Sequence, residues 1–230
     1  MAGNETQRRV GATAGVVGPI LFVSVFTVEG WLRPGYEPSR MFVSALSLGS
    51  RGWIQITSFL VVGSCFLLFS RALALQFPEG KASRFGPLLV ALIGLGLFFS
   101  GPFVMDLPMN IPFPRMTLLG KIHSLLGALV FSSGPVSAFA FFRRFRSDAS
   151  WQVMAWWTLT AGIVMAMTVV LLKFATLPPP APPNALAPWA GAIQRALIVA
   201  LMSWVASLAF SILRRLPRQE WQARGSASGS

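Results

Sequence analysis

GPFVMDLPMNIPFPRMTLLGKIHSLLGALVF, residues 101–131, ends one long apolar run, crosses a proline-containing loop and begins the next apolar run. Asp106 lies where the first run ends, and His123, the only histidine of the chain, lies near the start of the second. Ionisable groups at the ends of membrane helices are energetically costly, which makes them candidates for function. The stretch therefore predicts two successive membrane helices with a titratable pair at one end.

The composition of the whole chain is that of an integral membrane protein. Of the 230 residues, 54% are hydrophobic and 11% are charged, whereas soluble domains carry about 25% charged residues. The formal charge of +12 comes from short basic clusters between the apolar runs, a pattern typical of membrane topology and not of nucleic-acid binding. We therefore expect membrane lipids as partners and no nucleic acid.

Six apolar segments approach the length of about 20 residues that a helix needs to cross a bilayer. We predict an all-α integral membrane protein, a six-transmembrane-helix bundle within residues 12–216. The predicted helices cover about residues 12–28, 52–75, 85–105, 118–142, 151–174 and 188–213. Residues 1–11 and 217–230 are predicted as tails, the second ending in a Gly/Ser-rich stretch that has the composition of an added linker.

The distribution of Lys and Arg predicts the orientation of this bundle. Most basic residues outside the helices fall on the side that the two termini share, and basic residues are enriched on the cytoplasmic side. We therefore predict cytoplasmic termini in the inner (plasma) membrane, with extracytoplasmic proline-rich loops. Proline has a fixed φ and no N–H donor, so these loops are expected to be stiff caps. In the first of them, MFVSALSL (41–48) predicts a short helix.

This topology collects the titratable side chains of the helix ends at one end of the bundle. The first, third and fifth helices end there, and the second, fourth and sixth begin there. The residues expected in this layer are Glu29, Asp106, His123, Lys173 and Arg195, with Ser44 brought in by the first loop.

The first interpretation of this cluster is structural. A charge in a low dielectric has to be paired, so Arg195 would be neutralised by Glu29 or Asp106. His123 would then form a hydrogen bond with Asp106 and tie two helices together.

The second interpretation is a pocket for an amphipathic, anionic, lipid-like ligand, with surplus positive charge and a bidentate arginine contact. The candidate ligand-binding residues are Arg195, Lys173, Glu29, Arg40, Tyr36 and Gln194.

The third interpretation is catalytic. Ser44, His123 and Asp106 would act as nucleophile, base and orienting carboxylate of a lipid hydrolase or acyltransferase, although no GxSxG motif surrounds Ser44. A His–Asp pair without the serine would suit an isoprenoid-modifying enzyme. A further alternative is a small transporter or a partner subunit of a membrane complex. The sequence does not decide whether the protein forms a homo-oligomer.

The sequence predicts no metal and no cofactor. One histidine and one cysteine, Cys65, are too few for a zinc site or a bis-histidine haem. The chain also has no HExxH, Walker or GxGxxG motif.

Five segments of the chain resemble a known family. They are LRPGYEPSRMFVSALSLGSRGWIQITSFLVVG (32–63), GPFVMD (101–106), GKIHSLLGALVF (120–131) with FFRRF (141–145), and GAIQRALIVALMSW (191–204). Together they resemble the bacterial membrane proteins grouped as domain-of-unknown-function family nine-nine-eight, over nearly the whole chain. The positions that match recurring residues of that family are Tyr36, Pro38, Ser44, Leu46, Gly49, Gly52, Trp53, Asp106, His123 and Arg195. The resemblance implies a six-helix membrane domain and no assigned activity.

Overall fold

The computed structural model describes residues 2–107, 112–177 and 184–216, and within these ranges the chain is helical and has no strand. The helices are α1 Ala2–Leu32, α2 Gly52–Gln76, α3 Phe85–Ser100, α4 Leu118–Phe145, α5 Gln152–Ala175 and α6 Ala190–Arg215. This confirms the predicted helical membrane bundle. The prolines of the 5–6 loop at 178–180, 182 and 183, as well as Pro108 and the tail 217–230, lie outside the described residues.

Five of the helices are long and apolar enough to cross a membrane, and α3 is the shorter one. With 16 residues and a rise of 1.5 Å per residue, α3 is about 24 Å long. The prediction that it continues to residue 105 is wrong. Pro102 has no N–H, so it cannot donate to the Phe98 carbonyl as the next residue of a helix would. The helix accordingly closes with a tight turn, in which the Gly101 N–H donates to the Phe98 carbonyl at 3.2 Å.

The N-terminal residues predicted as a tail are helical instead. α1 begins at Ala2, and Glu5 and Arg9 form an ion pair at 3.6 Å across one turn of it. Such pairs at i and i+4 support a helix. Arg8 adds a hydrogen bond to Gln76 at the end of α2, so this segment is attached to the bundle.

The six helices form a closed ring. Each packs against the next in sequence, and α1 also packs against α6. Small residues permit the close contacts: a Cβ added at Gly15 of α1 would lie 2.8 Å from the Cβ of Ala209 on α6 and 2.7 Å from the ring of Phe69 on α2. Close approach through small residues is typical of packing in membranes. A ring of this kind encloses an interior that side chains have to fill.

Aromatic side chains fill this interior at the end that carries the termini. The rings of Phe145 and Trp151 stack at 5.0 Å, and the Arg215 guanidinium lies 4.0 Å above the Trp151 ring. Trp204, which is fully buried, donates a hydrogen bond to the Thr158 hydroxyl at 3.1 Å. Buried Trp needs such a partner for its N–H. This end of the ring is therefore closed by packed side chains.

Candidate functional site

A cavity of about 530 Å³ lies at the opposite end of the ring. Its walls are mainly apolar and come from all six helices and two loops; they include Phe22, Phe59, Leu97, Val130, Ile198 and Leu201. Ligand pockets commonly have volumes of about 300–1,000 Å³, apolar walls and a few polar groups. The cavity is thus large enough to hold a substantial part of a lipid-sized molecule.

Five of the residues predicted from the sequence line this cavity: Ser44, Asp106, His123, Lys173 and Gln194. They come from the first loop, the loop before α4, and helices α4, α5 and α6. The cavity lining does not include Arg195, Tyr36, Glu29 or Arg40. The predicted cluster is therefore divided between the cavity and the loop region beside it.

Asp106 holds the start of α4. Its two carboxylate oxygens accept hydrogen bonds from the Thr117 backbone N–H and the Thr117 hydroxyl, both at 2.7 Å. The Thr117 oxygen in turn accepts from the Gly120 N–H at 3.0 Å, as an N-cap residue does. A carboxylate beside a helix N-terminus is also favoured by the helix dipole. Asp106 therefore has a structural role at the edge of the cavity.

His123 is 9% exposed and lies on the cavity wall. Its Nδ1 lies 2.7 Å from the Phe103 carbonyl oxygen, and because a carbonyl can only accept, Nδ1 is the donor. The Ser100 carbonyl also lies near the ring, and the Phe59 ring packs against it edge-on at 6.4 Å. The expected hydrogen bond between His123 and Asp106 is not formed in the described part of the chain. A backbone carbonyl orients the imidazole instead.

Gln194 and Ser44 bring polar groups to the opposite side of the cavity. The Gln194 side chain, 4% exposed, accepts a hydrogen bond from the Val43 N–H at 2.8 Å through its carbonyl oxygen. Its amide nitrogen has no hydrogen-bond partner among the described residues. Ser44, 8% exposed, lies in the short helix Val43–Ser47 that the sequence predicts, and its hydroxyl likewise has none. Two donors on the cavity wall are thus available to a molecule in the cavity.

Arg195 lies beside the cavity and stabilises the first loop. Its guanidinium donates to the carbonyls of Met41, at 2.8 Å, and Gly191, at 3.1 Å, as well as to the Pro38 carbonyl and the Tyr36 hydroxyl. The expected pairing of Arg195 with Glu29 or Asp106 is therefore wrong. Backbone carbonyls and a phenol satisfy this cation, since a folded loop offers a fixed array of acceptors to the five N–H groups of arginine.

Tyr36 connects Arg195 to the same loop. Its hydroxyl donates to the Phe42 carbonyl at 3.0 Å while it accepts from Arg195. Burial raises the pKa of the Tyr36 hydroxyl, and the nearby Arg195 charge opposes this rise only in part. Tyr36 therefore stays a neutral donor that holds the loop in place.

Glu29 pairs with two arginines of the first loop. It accepts from Arg51, whose Nε lies 3.2 Å away, and forms an ion pair with Arg33 at 3.5 Å. Sequence reasoning missed both partners, although the spacing of Glu29 and Arg33, four residues apart on a helix, was a usable signal. Arg40 pairs with Glu37 at 3.6 Å and is largely exposed. The expected surplus of positive charge is therefore absent from the described cavity lining, which holds one cation, Lys173, and one anion, Asp106.

Several hydroxyl groups of the lining were not singled out from the sequence; they are Ser100, Ser124, Ser132 and Thr176. Most of them bond within their own helix. Ser100 donates to the Gly96 carbonyl at 2.7 Å and Thr176 to the Leu172 carbonyl at 2.8 Å. Nothing in a sequence distinguishes such a serine from the many that serve helix packing. Across the described ranges, no three His, Cys, Asp or Glu side chains come together to hold a metal ion.

Among the comparisons with known proteins, only the one with protein families gave a match. No curated protein and no solved structure matches it. The model of one family, described as "Protein of unknown function (DUF998)", matches residues 16–211. This range contains every residue of the cavity lining, and because the match covers most of the chain, the protein belongs to the DUF998 family.

Proposed function

We propose that this multi-pass membrane protein binds an amphipathic lipid in the cavity, with its hydroxyl-bearing, anionic head group among the polar residues. The observation that carries the proposal is the cavity itself, which combines apolar walls from every helix with a Ser44 hydroxyl and a Gln194 amide nitrogen that have no hydrogen-bond partner among the described residues. Polar groups that have no protein partner can form hydrogen bonds with a bound molecule. A bound head group would supply the missing hydrogen bonds.

The polar groups of the cavity define the chemistry of this head group. The Gln194 amide nitrogen is a donor and needs an acceptor, while the Ser44 hydroxyl serves either role. Lys173 is the only cation of the described lining and would attract a phosphate or a carboxylate. The charge of Asp106 is already engaged by Thr117. A phospholipid with one negative charge and free hydroxyl groups suits this set.

The proposed orientation puts the cavity on the extracytoplasmic side of the inner membrane. Its support is the basic character of the other end, where Arg143 and Arg144 lie in the last turn of α4, Arg146 directly follows that helix, and Arg214 and Arg215 lie in the last turn of α6. Basic residues at helix ends are enriched on the cytoplasmic side. The ligand would then come from the outer leaflet of that membrane.

Native mass spectrometry of the protein released from phosphatidylglycerol nanodiscs tests the proposal. Lys173→Ala and Gln194→Leu should each retain phosphatidylglycerol about tenfold less well than the wild type, since a hydrogen bond to a charged group contributes roughly 1.5–3 kcal/mol and 1.4 kcal/mol is tenfold. Lys121→Ala is the matched control, because Lys121 lies on α4 near the same end of the ring but does not line the cavity. Equal retention by all four proteins would contradict the proposal.

A second candidate function is an enzyme that acts on such a lipid. It is favoured by the presence of the unpartnered Ser44 hydroxyl and the His123 imidazole in the lining of one cavity. The Phe103 carbonyl, at 2.7 Å, would orient the imidazole in the role first expected of Asp106. Under this proposal Ser44→Ala keeps the bound lipid and loses its turnover. Full turnover by Ser44→Ala would remove the serine mechanism.

A further inference from the structure

We propose that the lipid enters and leaves the cavity sideways, through a gap between α4 and α5. The gap is formed by Gly127, Ala128 and Ser132 of α4 and by Val169 and Lys173 of α5, all of which line the cavity. The inference rests on the proposed lipid-binding function and adds the route by which the acyl chains reach the site.

At this gap, exposed residues of α4 are also residues of the cavity wall. Exposed residues recur along one stripe of the helix, at Leu125, Ala128, Ser132 and Val136, with the spacing of three to four residues that keeps them on one face. Ala128 and Ser132 of this stripe also line the cavity. A residue that belongs to both the outer surface and the cavity wall lies at an opening. The cavity therefore reaches the surface that faces the lipid.

The two helices are in close contact in the other half of the ring. A Cβ added at Gly162 of α5 would lie 3.2 Å from the Cβ of Ala138, and one added at Gly134 of α4 would lie 3.3 Å from the sulfur of Met165. Further from the cavity, the ring centroids of Phe142 on α4 and Trp156 on α5 are 6.2 Å apart. At Gly127, in contrast, an added Cβ meets nothing within 4 Å. The helices thus diverge from Gly134 towards the end that holds His123.

The side chains at the gap suit the passage of an amphipathic molecule. Gly127, Ala128 and Ser132 are small, and the Ser132 hydroxyl donates to the Ala128 carbonyl of its own helix at 2.6 Å. It therefore offers no unsatisfied donor to a passing acyl chain. Lys173 is exposed at the gap, and a lysine can extend its ammonium group along an apolar surface to a polar head group. Chains would pass between the small residues while the head follows Lys173.

Blocking the gap after the lipid is bound tests this route. The single cysteine, Cys65 of α2, lies outside the cavity lining, so a Cys65→Ser background carries either Ala128→Cys at the gap or Leu125→Cys as the control. Leu125 is 60% exposed on the same helix face and does not line the cavity. Each protein is loaded with phosphatidylglycerol in nanodiscs and then treated with a bulky maleimide. Exchange against isotope-labelled phosphatidylglycerol is followed by native mass spectrometry.

The expected result is that the maleimide slows lipid exchange at least tenfold in the Ala128→Cys protein and leaves it unchanged in the Leu125→Cys protein. Exchange at the unmodified rate in modified Ala128→Cys would overturn the lateral route. Failure of the proposed binding function would look different, because both proteins would then carry no phosphatidylglycerol before the maleimide is added. Loss of the loaded lipid on modification would also count against the route, since it would mean that residue 128 lies within the binding space.

Discussion

The side-chain carbonyl of Gln194, on α6, accepts a hydrogen bond from the backbone N–H of Val43 at 2.8 Å. This contact joins the last helix to the loop after the first helix, and Ser44 follows directly in the chain. Both sides of the contact line the cavity. Gln194 therefore positions the loop that carries Ser44, besides offering its own amide nitrogen to a ligand.

We expect Gln194→Leu to lower the free energy of unfolding by about 1–3 kcal/mol, because the buried Val43 N–H would lose its acceptor. Thermal unfolding in detergent measures this loss. Gln152→Leu is the control, since Gln152 is exposed at the start of α5 and should change stability by less than about 0.5 kcal/mol. If the two variants unfolded at the same temperature, the Gln194–Val43 contact would have no structural importance.

Two glycines of α4 should respond in opposite directions to alanine. A Cβ at Gly120 would overlap the Asp106 carboxylate, whereas a Cβ at Gly127 meets open space. We expect Gly120→Ala to destabilise the protein by displacing the Asp106 cap. Gly127→Ala should stabilise it by up to about 1 kcal/mol, because alanine is the better helix former. Unfolding of the pair under identical conditions tests both, and a stabilising Gly120→Ala would contradict the described position of Asp106.

Thr117→Val should weaken the start of α4. The substitution removes the hydroxyl that donates to Asp106 and accepts from the Gly120 N–H, and loss of an N-cap costs about 1 kcal/mol. Thr168→Val is the comparison, because the Thr168 hydroxyl bonds only to carbonyls of its own helix, at Val164 and Met165. Hydrogen exchange of the α4 amides should rise in the first variant only. Equal protection in both would argue against a capping role.

Arg195→Ala should loosen the first loop. The variant loses the hydrogen bonds to Tyr36 and to three backbone carbonyls, and hydrogen bonds to charged groups contribute roughly 1.5–3 kcal/mol each. We expect faster chymotrypsin cleavage of the loop near Tyr36. Arg40→Ala is the matched control, because Arg40 forms an exposed pair with Glu37 and such pairs contribute little. Cleavage at the same rate in both variants would show that the loop does not depend on Arg195.

The sequence predicts which end of the bundle a residue occupies better than it predicts what that residue contacts. Alternation of helix direction brings Asp106, His123 and Lys173 to one end, and all three line the cavity. The rotation of each helix about its axis is set by packing, which hydropathy does not encode. Gln194 and Arg195 are neighbours in sequence but lie about 100° apart around the helix. One faces the cavity and the other faces the loop.

The partners of the charged residues were harder to predict for a related reason. A charge in a low dielectric has to be paired, so the sequence alone favours a carboxylate, Glu29 or Asp106, as the partner of Arg195. A sequence does not show where backbone carbonyls point. In the folded loop 36–42, the carbonyls of Pro38 and Met41 point towards Arg195 and accept hydrogen bonds from it. The early end of α3 has a local cause in Pro102, which outweighs the apolar character of the residues that follow.

The packing of α1 against α6 has a consequence for biosynthesis. Helices leave the ribosome in chain order, so the face of α1 that receives α6 stays without its protein partner until α6 has been translated. A truncation before Ala190 would leave that face, and the side of the cavity that Gln194 supplies, permanently open. Quality-control proteases that survey unassembled membrane segments would then be expected to degrade the shortened chain.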